Sequence, residues 1–404
     1  MFRGEALANG SMAPEVKVYN TENQHIDLDF YAFSRGFGGG GYVATGDTNG
    51  NGYEEIIVGA GYGGGPQIMS FNKEGKFTGL GFFPFHKDYR GGVSVAMGDV
   101  DGDGIDEVIC GQAMDGQAWV KVYRTDKERT VLANFLAYPP QFQGGVYVAA
   151  GDINGDGKDE IVTGSGHGSY GHVRVFDGSG KYLGWDVRPF DESHKGGVAV
   201  AVGNIDGGAE EEIIVSAASF GSARVKVYKS DSSKRIIGDF LAYPEPYKEG
   251  CMVTAGDVDQ DGLDEVITGA AGGGPHVRAF EAWGHPKTLS FLSYHHDFRG
   301  GVRVAAGNLD GGKVVELVTM PGKKVIEGRT DLYKYIEIDI SDQQLTAFEN
   351  GRKVKSFPVS TGISRFPTPL GHFHIYSKTP STRMNYEYGP NHPDNYDLPN
   401  VPHT

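Results

Sequence analysis

Three observations in the 404-residue sequence predict an all-β protein built around a six-bladed β-propeller, with seven blades as the alternative. An acidic turn recurs six times, each repeat carries four short β-type runs, and the half-repeats that flank the array complement each other. Gly contributes 63 residues against 19 Pro without recurring at every third position, so the excess belongs to turns and not to collagen. Charged residues make up 22% and apolar residues 39%, with 22 Phe, 21 Tyr and 3 Trp, which is too apolar for a disordered chain.

The repeat is read from Asp47, Asp99, Asp152, Asn204, Asp257 and Asn308, at spacings of 52, 53, 52, 53 and 51 residues. Each unit opens on a Gly-rich turn and an alternating run, as in Gly91 to Asp99 and Gly144 to Asp152. An acidic turn follows, and then an apolar run beginning at Ile56, Val108, Ile161, Ile213 or Val266. A second alternating run comes next (Val120, Val173, Val225), and an aromatic run closes the unit (Phe135, Phe240). Runs of four to six residues rich in β-branched and aromatic types between Gly and Asp turns read as strands. Before the first acidic turn stand only a third and a fourth run, Val16 to Tyr19 and Ile26 to Phe33; after the sixth stands only a second run, Val315 to Met320. The expectation is a last blade assembled from both ends of the array, which removes unpaired strand edges.

The acidic turns read DTNGNGYEE, DVDGDGIDE, DINGDGKDE and DVDQDGLDE in repeats one, two, three and five. Oxygen side chains at places one, three, five and nine, a sharp bend at a sixth-place Gly and an inward carbonyl at place seven suit one Ca2+ ion. The candidate ligands are Asp47, Asn49, Asn51, the Tyr53 carbonyl and Glu55 in repeat one, and Asp99, Asp101, Asp103, the Ile105 carbonyl and Glu107 in repeat two. Repeat three offers Asp152, Asn154, Asp156, the Lys158 carbonyl and Glu160; repeat five offers Asp257, Asp259, Asp261, the Leu263 carbonyl and Glu265. An EF-hand would need flanking helices and a twelfth-place Glu, and neither is present. Repeats four (from Asn204) and six (from Asn308) lose the first Asp and the fifth-place oxygen, so weak or no metal is expected there. Simple Asx-turns are the plainer alternative, but three acids within five residues repel one another unless compensated.

With their following apolar run ending in Gly, these turns resemble FG-GAP/VCBS repeats, the blades of integrin-type propellers, over residues 14–321. The resemblance implies the propeller fold and calcium, and extends to adhesion, carbohydrate contact or surface display. Residues 1–13 are expected to lack order, and 322–332 to form a polar linker.

From 333 to 404 the pattern changes. Tyr335 to Gly362 reads as two strands around a turn at Asn350-Gly351. Ile338-Asp339-Ile340, Gln344-Leu345, PVSTG at Pro358 to Gly362, TPLGHF at Thr368 to Phe373 and LPNVP at Leu398 to Pro402 resemble the start of the L,D-transpeptidase catalytic domain (YkuD type). That resemblance implies an all-β acyl-transfer fold of bacterial cell walls, in which a Cys thiolate attacks a peptide carbonyl with a His as base. The family's nucleophile segment lies beyond the LPNVP-like stretch, so residues 1–404 are expected to be inactive and no catalytic residue is assigned. Thr361, Gly362, Thr368 and Gly371 match motif positions as shapers of strands and turns. His372, His374 and His403 are not taken as catalytic.

Cys110 and Cys251 fall in strands expected to be buried in opposite blades, unable to pair and acting as apolar filler. His86, His194, His295 and His296 are expected to be solvated loop residues, and the fourth-run aromatics (Phe82, Phe83, Tyr138, Trp185, Tyr243) to pack between blades. Lys and Arg number 37 and Asp and Glu 52, so the net charge is 37 − 52 = −15 and no basic stripe interrupts it. Nucleic acid is thereby excluded as a partner. No run of 18 apolar residues occurs, and no secretion signal is evident.

The function expected is that of a bacterial envelope or extracellular protein in which a calcium-binding propeller presents an L,D-transpeptidase domain to peptidoglycan. The partners are peptidoglycan or another surface glycan, or a protein on one propeller face. A non-enzymatic calcium-dependent binding or adhesion propeller is the rival, and a propeller lyase the weaker third.

Overall fold

The structure is a computed structural model that describes residues 6–7, 11–22, 24–169, 171–296, 298–322, 334–339, 343–349, 352–359, 381–386 and 396–402. Every regular element among these residues is a strand. The chain divides into two compact units, one dominated by the propeller and the other comprising Ile336–Ala347 with Lys355–Thr404.

Six four-stranded antiparallel sheets form the propeller, so the count is six and not seven. Blade one runs outward from Gly41–Gly46 through Glu55–Ala60 and Ile68–Phe71 to Phe77–Phe82. Blades two to five repeat this order, their innermost strands being Val93–Gly98, Val146–Gly151, Val198–Gly203 and Cys251–Gly256. Blade six joins the two ends of the array: Val302–Gly307 and Glu316–Pro321 pair with Glu15–Asn20 and Ile26–Tyr31. Its register is Thr319 to Lys17, Val318 to Val18 and Leu317 to Tyr19. The innermost strands neighbour one another around the full circle, including blade six beside blade one.

The second strand of each blade is buried on both faces, which is why its sequence is a continuous apolar run and not an alternation. Aromatics fasten each blade to the next. A fourth-strand ring meets a third-strand ring in the pairs Phe82–Tyr123, Phe135–Phe176, Trp185–Tyr228, Phe240–Phe280, Phe291–Tyr19 and Phe30–Phe71, with centroids 4.5 to 6.2 Å apart. Tyr138 and Tyr243 donate from their hydroxyls to the carbonyls of His172 and His276 in the following blade. Phe83 departs from the expected packing and is 55% exposed, because it lies just past the end of its strand.

Within 1–13, Ala6–Leu7 and Ser11–Met12 pair as a short antiparallel ladder in the segment expected to lack order. C-terminal to the propeller strands in sequence, Lys334–Asp339, Gln344–Glu349 and Arg352–Pro358 form one sheet, a strand more than the two-strand reading. Ser381–Tyr386 pairs with Tyr396–Pro402, the strand that carries LPNVP. The Asn350-Gly351 turn, Thr361, Gly362, Thr368, Gly371, His372, His374 and His403 lie outside the described residues. Among the described residues no helix is long and apolar enough to cross a membrane.

Candidate metal turns on one face of the propeller

Each acidic turn joins the innermost strand to the second strand, so all six lie at the same end of the ring. The first-place Asp organises the bend. Asp99 accepts from the N–H groups of Gly102 (2.7 Å), Asp103 (3.0 Å) and Gly104 (2.8 Å); Asp47 and Asp152 receive the equivalent three bonds, and Asp257 those from Gln260 and Gly262. Gly104 sits at φ 85°, a left-handed conformation that accounts for glycine at the sixth place. Burial pulls the Asp47 carboxyl up, but four backbone N–H bonds outweigh it and hold its pKa below the usual value.

The ninth-place Glu starts the second strand and is buried in all six blades: Glu55, Glu107, Glu160, Glu212, Glu265 and Glu316. It accepts from the second-place N–H, as in Glu107 with Val100 at 3.2 Å and Glu265 with Val258 at 3.0 Å. Burial, with Asp101 and Asp103 adding repulsion, pushes the Glu107 pKa up to about 8; burial with Asp156 and Asp152 takes Glu160 to about 7. These are oxygens held ready for positive charge.

Carboxylate oxygens of Asp99, Asp101 and Glu107 converge within 4.8 Å, as do those of Asp257, Asp259 and Glu265. Asp101 Oδ1 and Glu160 Oε2 are buried without a hydrogen-bond partner. An all-oxygen donor set with such orphaned atoms fits a hard divalent ion. In blade one the Glu55 oxygens are engaged by Thr48 and by Asn49 Nδ2 (2.8 Å), and in blade three Asn154 Nδ2 donates to Glu160 at 2.8 Å. Asp103, Asp156 and Asp261 each accept from the N–H two residues on, that of Ile105, Lys158 and Leu263, and Asn51 does the same with Tyr53.

Sequence reasoning missed three basic residues that reach these turns. Arg124 bridges Asp101 and Asp103, the latter at 2.6 Å. Lys287 lies 2.7 Å from Asp259 and 3.0 Å from Glu265. Lys229 pairs with Asp206 and, at 3.0 Å, with Glu212, so the turn expected to be poor in metal carries a covalently attached cation.

A second missed set is the eighth-place acid. Asp106, Asp159 and Asp264 accept from the N–H of Asp47, Asp99 and Asn204 in the preceding blade at 2.8, 3.0 and 2.9 Å, and Glu54 accepts from Asn308 at 3.1 Å. Glu211 is bonded likewise to Asp152. The signal was an acid at place eight in five of six turns; Val315 holds that place in blade six. Burial raises these groups, Asp106 to about 6, and Asp159 and Glu211 to about 7.

Cys110 and Cys251 are free and fully buried, and burial takes the Cys251 thiol to about 12, so neither is an available nucleophile. His86 is solvated as expected, whereas His194 is half-buried, with Nε2 at 2.8 Å from the Gly197 carbonyl and its ring packed edge-on against Phe190 at 5.0 Å.

Residues 47–110 match the FG-GAP-like repeat family, residues 141–180 the FG-GAP repeat family, and residues 333–403 the L,D-transpeptidase catalytic domain family (YkuD). Among solved structures, an Agrocybe aegerita lectin specific for non-reducing terminal N-acetylglucosamine is 14% identical, with 86% of this chain and 90% of that chain covered and a TM-score of 0.43. A Bacteroides caccae protein of unknown function is 11% identical over 71% and 97% (TM-score 0.45), and a Bacillus licheniformis rhamnogalacturonan lyase 15% identical over 86% and 65% (TM-score 0.37). The chain thus carries FG-GAP repeats folded as a six-bladed β-propeller, followed by an L,D-transpeptidase (YkuD) domain.

Proposed function

We propose that this is a bacterial cell-envelope L,D-transpeptidase whose propeller, stiffened by Ca2+ in its acidic turns, binds peptidoglycan and delivers the acyl-transfer domain to it. The observation that carries the reading is the L,D-transpeptidase match over 333–403 in one chain with the repeats. Acyl transfer in that family needs a thiolate, and the two cysteines of residues 1–404 are both sealed in propeller strands, so these residues alone are expected to leave muropeptides unchanged.

Calcium is assigned to the turns of blades two, three and five first, where orphaned or convergent carboxylate oxygens support it, and to blade one with Asp47, Asn49, Asn51 and Glu55. On binding, Ca2+ would supply charge compensation and rigidity. Arg124 and Lys287 hold the same carboxylates in the ion's absence and would swing aside.

The test is co-sedimentation of residues 1–404 with insoluble peptidoglycan in calcium and in chelator, alongside a thermal melt in each. Calcium-dependent sedimentation and a higher melt in calcium are expected. A melt unmoved by chelator overturns the metal assignment, and failure to sediment in calcium overturns the targeting role.

A further inference from the structure

The acidic turns sit at one end of the innermost strands, and the other end holds a different site. The second residues of those strands include Tyr42, Tyr147 and Arg303, from blades one, three and six. Tyr42 and Tyr147 belong to non-adjacent blades, yet their ring centroids lie 6.3 Å apart, which requires both rings to reach the axis. The Arg303 guanidinium lies over the Tyr42 ring at 5.0 Å. Arg303 is 9% exposed and Tyr42 6%.

Among the described residues Arg303 has no ion pair, and its Nε and the Tyr42 hydroxyl are buried without a hydrogen-bond partner. A guanidinium cannot shed its proton, and an uncompensated buried charge is costly. A neighbouring histidine does not help. His167 is held neutral by burial and by Arg303 itself, with Nε2 against Ser219 Oγ at 3.0 Å and Nδ1 unpartnered. A shallow recess lined by Gly39, Gly41, Gly61, Tyr62 and Met114 leads to Tyr42 and Arg303; its enclosed part is about 10 Å3, the room of about one water, so a ligand enters by one small group with the rest in the open mouth.

We propose that this axial recess binds a carboxylate group, held by the Arg303 guanidinium and the Tyr42 hydroxyl. With the guanidinium over the Tyr42 ring, its Nε–H stays unpartnered, and a planar guanidinium suits the flat, two-oxygen geometry of a carboxylate. A protein of net charge −15 repels a monoanion less than a multiply charged phosphate. The inference does not rest on the transpeptidase reading.

The test is calorimetric titration of residues 1–404 with sodium acetate against sodium chloride at matched ionic strength, in calcium and in chelator, with inorganic phosphate as a second probe. Saturable acetate binding is expected in both buffers, reduced at least about tenfold in Arg303→Gln, as for loss of one partner of a buried charge pair. Tyr42→Phe, which keeps the ring, and Arg303→Lys, which keeps the charge, should each weaken it and stand in if Arg303→Gln does not fold. Absence of saturable binding, or binding equal in all variants, overturns the site. Binding lost in chelator would place the anion on a turn-bound metal, and phosphate binding tighter than acetate would overturn the carboxylate assignment.

Discussion

The carboxylate of Asp159 in blade three accepts a 3.0 Å hydrogen bond from the backbone N–H of Asp99 in blade two. The backbone returns the favour: Asp159 N–H donates to the Asp99 carbonyl, also at 3.0 Å. The latch stitches the two turns together but confines a charge among Asp106, Asp99 and Asp152. Asp159→Asn keeps an acceptor and drops the charge, so in chelator at pH 8 it should melt above the parent. Asp159→Ala orphans the Asp99 N–H and should cost about 1–3 kcal/mol in chemical denaturation. An asparagine variant less stable than the parent at pH 8 would contradict this account.

Stability of the metal-free protein should fall as pH rises from about 5 to 8. Asp106 titrates near 6, Asp159, Glu160 and Glu211 near 7 and Glu107 near 8, all displaced upward by burial. Unfolded carboxyls titrate near 4, so across this window the folded chain keeps protons that the unfolded chain has released, and each is lost as pH climbs through the folded value. Urea midpoints in chelator at three pH values would show the decline, and saturating Ca2+ should flatten it. A midpoint that rises with pH in chelator would refute the assignment.

Lys229 closes the blade-four turn over Glu212, which is fully buried. Lys229→Met should therefore leave Glu212 and Asp206 facing each other uncompensated and destabilise the propeller by about 3 kcal/mol. Because that turn lacks the first Asp, calcium should restore little of the loss. Full rescue by calcium would mean that blade four is itself a metal site.

Thiol labelling offers a further check. Cys110 and Cys251 should be inert to a thiol reagent in the native state and become reactive together on unfolding, since each lies in an inner or second strand with no exposed surface. Rapid labelling of either under native conditions would show that its blade opens locally.

The ring and its turns were legible because they are written at a fixed period: Asp47, Asp99, Asp152 and Asp257 announce themselves by spacing, and Gly104 by the bend it permits. The basic partners were not. Arg124 and Lys287 lie 23 and 28 residues from the aspartates they touch, one just past the end of a third strand and the other on a fourth strand, and no local spacing rule links them to the turn. The eighth-place acids were visible as residues, but an alternating strand end does not declare which neighbour it will meet. Arg303 and Tyr42 are further still from local rules, since they are 261 residues apart, 303 − 42, and meet only once the circle closes.

That closure sets a timetable for biogenesis. The hairpin of Glu15–Asn20 and Ile26–Tyr31 emerges from the ribosome before the five complete blades, yet Val18, paired with Leu28 on one side, must wait for Val318 before it acquires its second sheet neighbour. Five blades can mature as local meanders while this opening ribbon, too small to persist alone, stays unmated. A nascent chain stalled ahead of Glu316 would offer its bare edge to any passing strand, so synthesis of this protein is safest when elongation through the sixth repeat is uninterrupted.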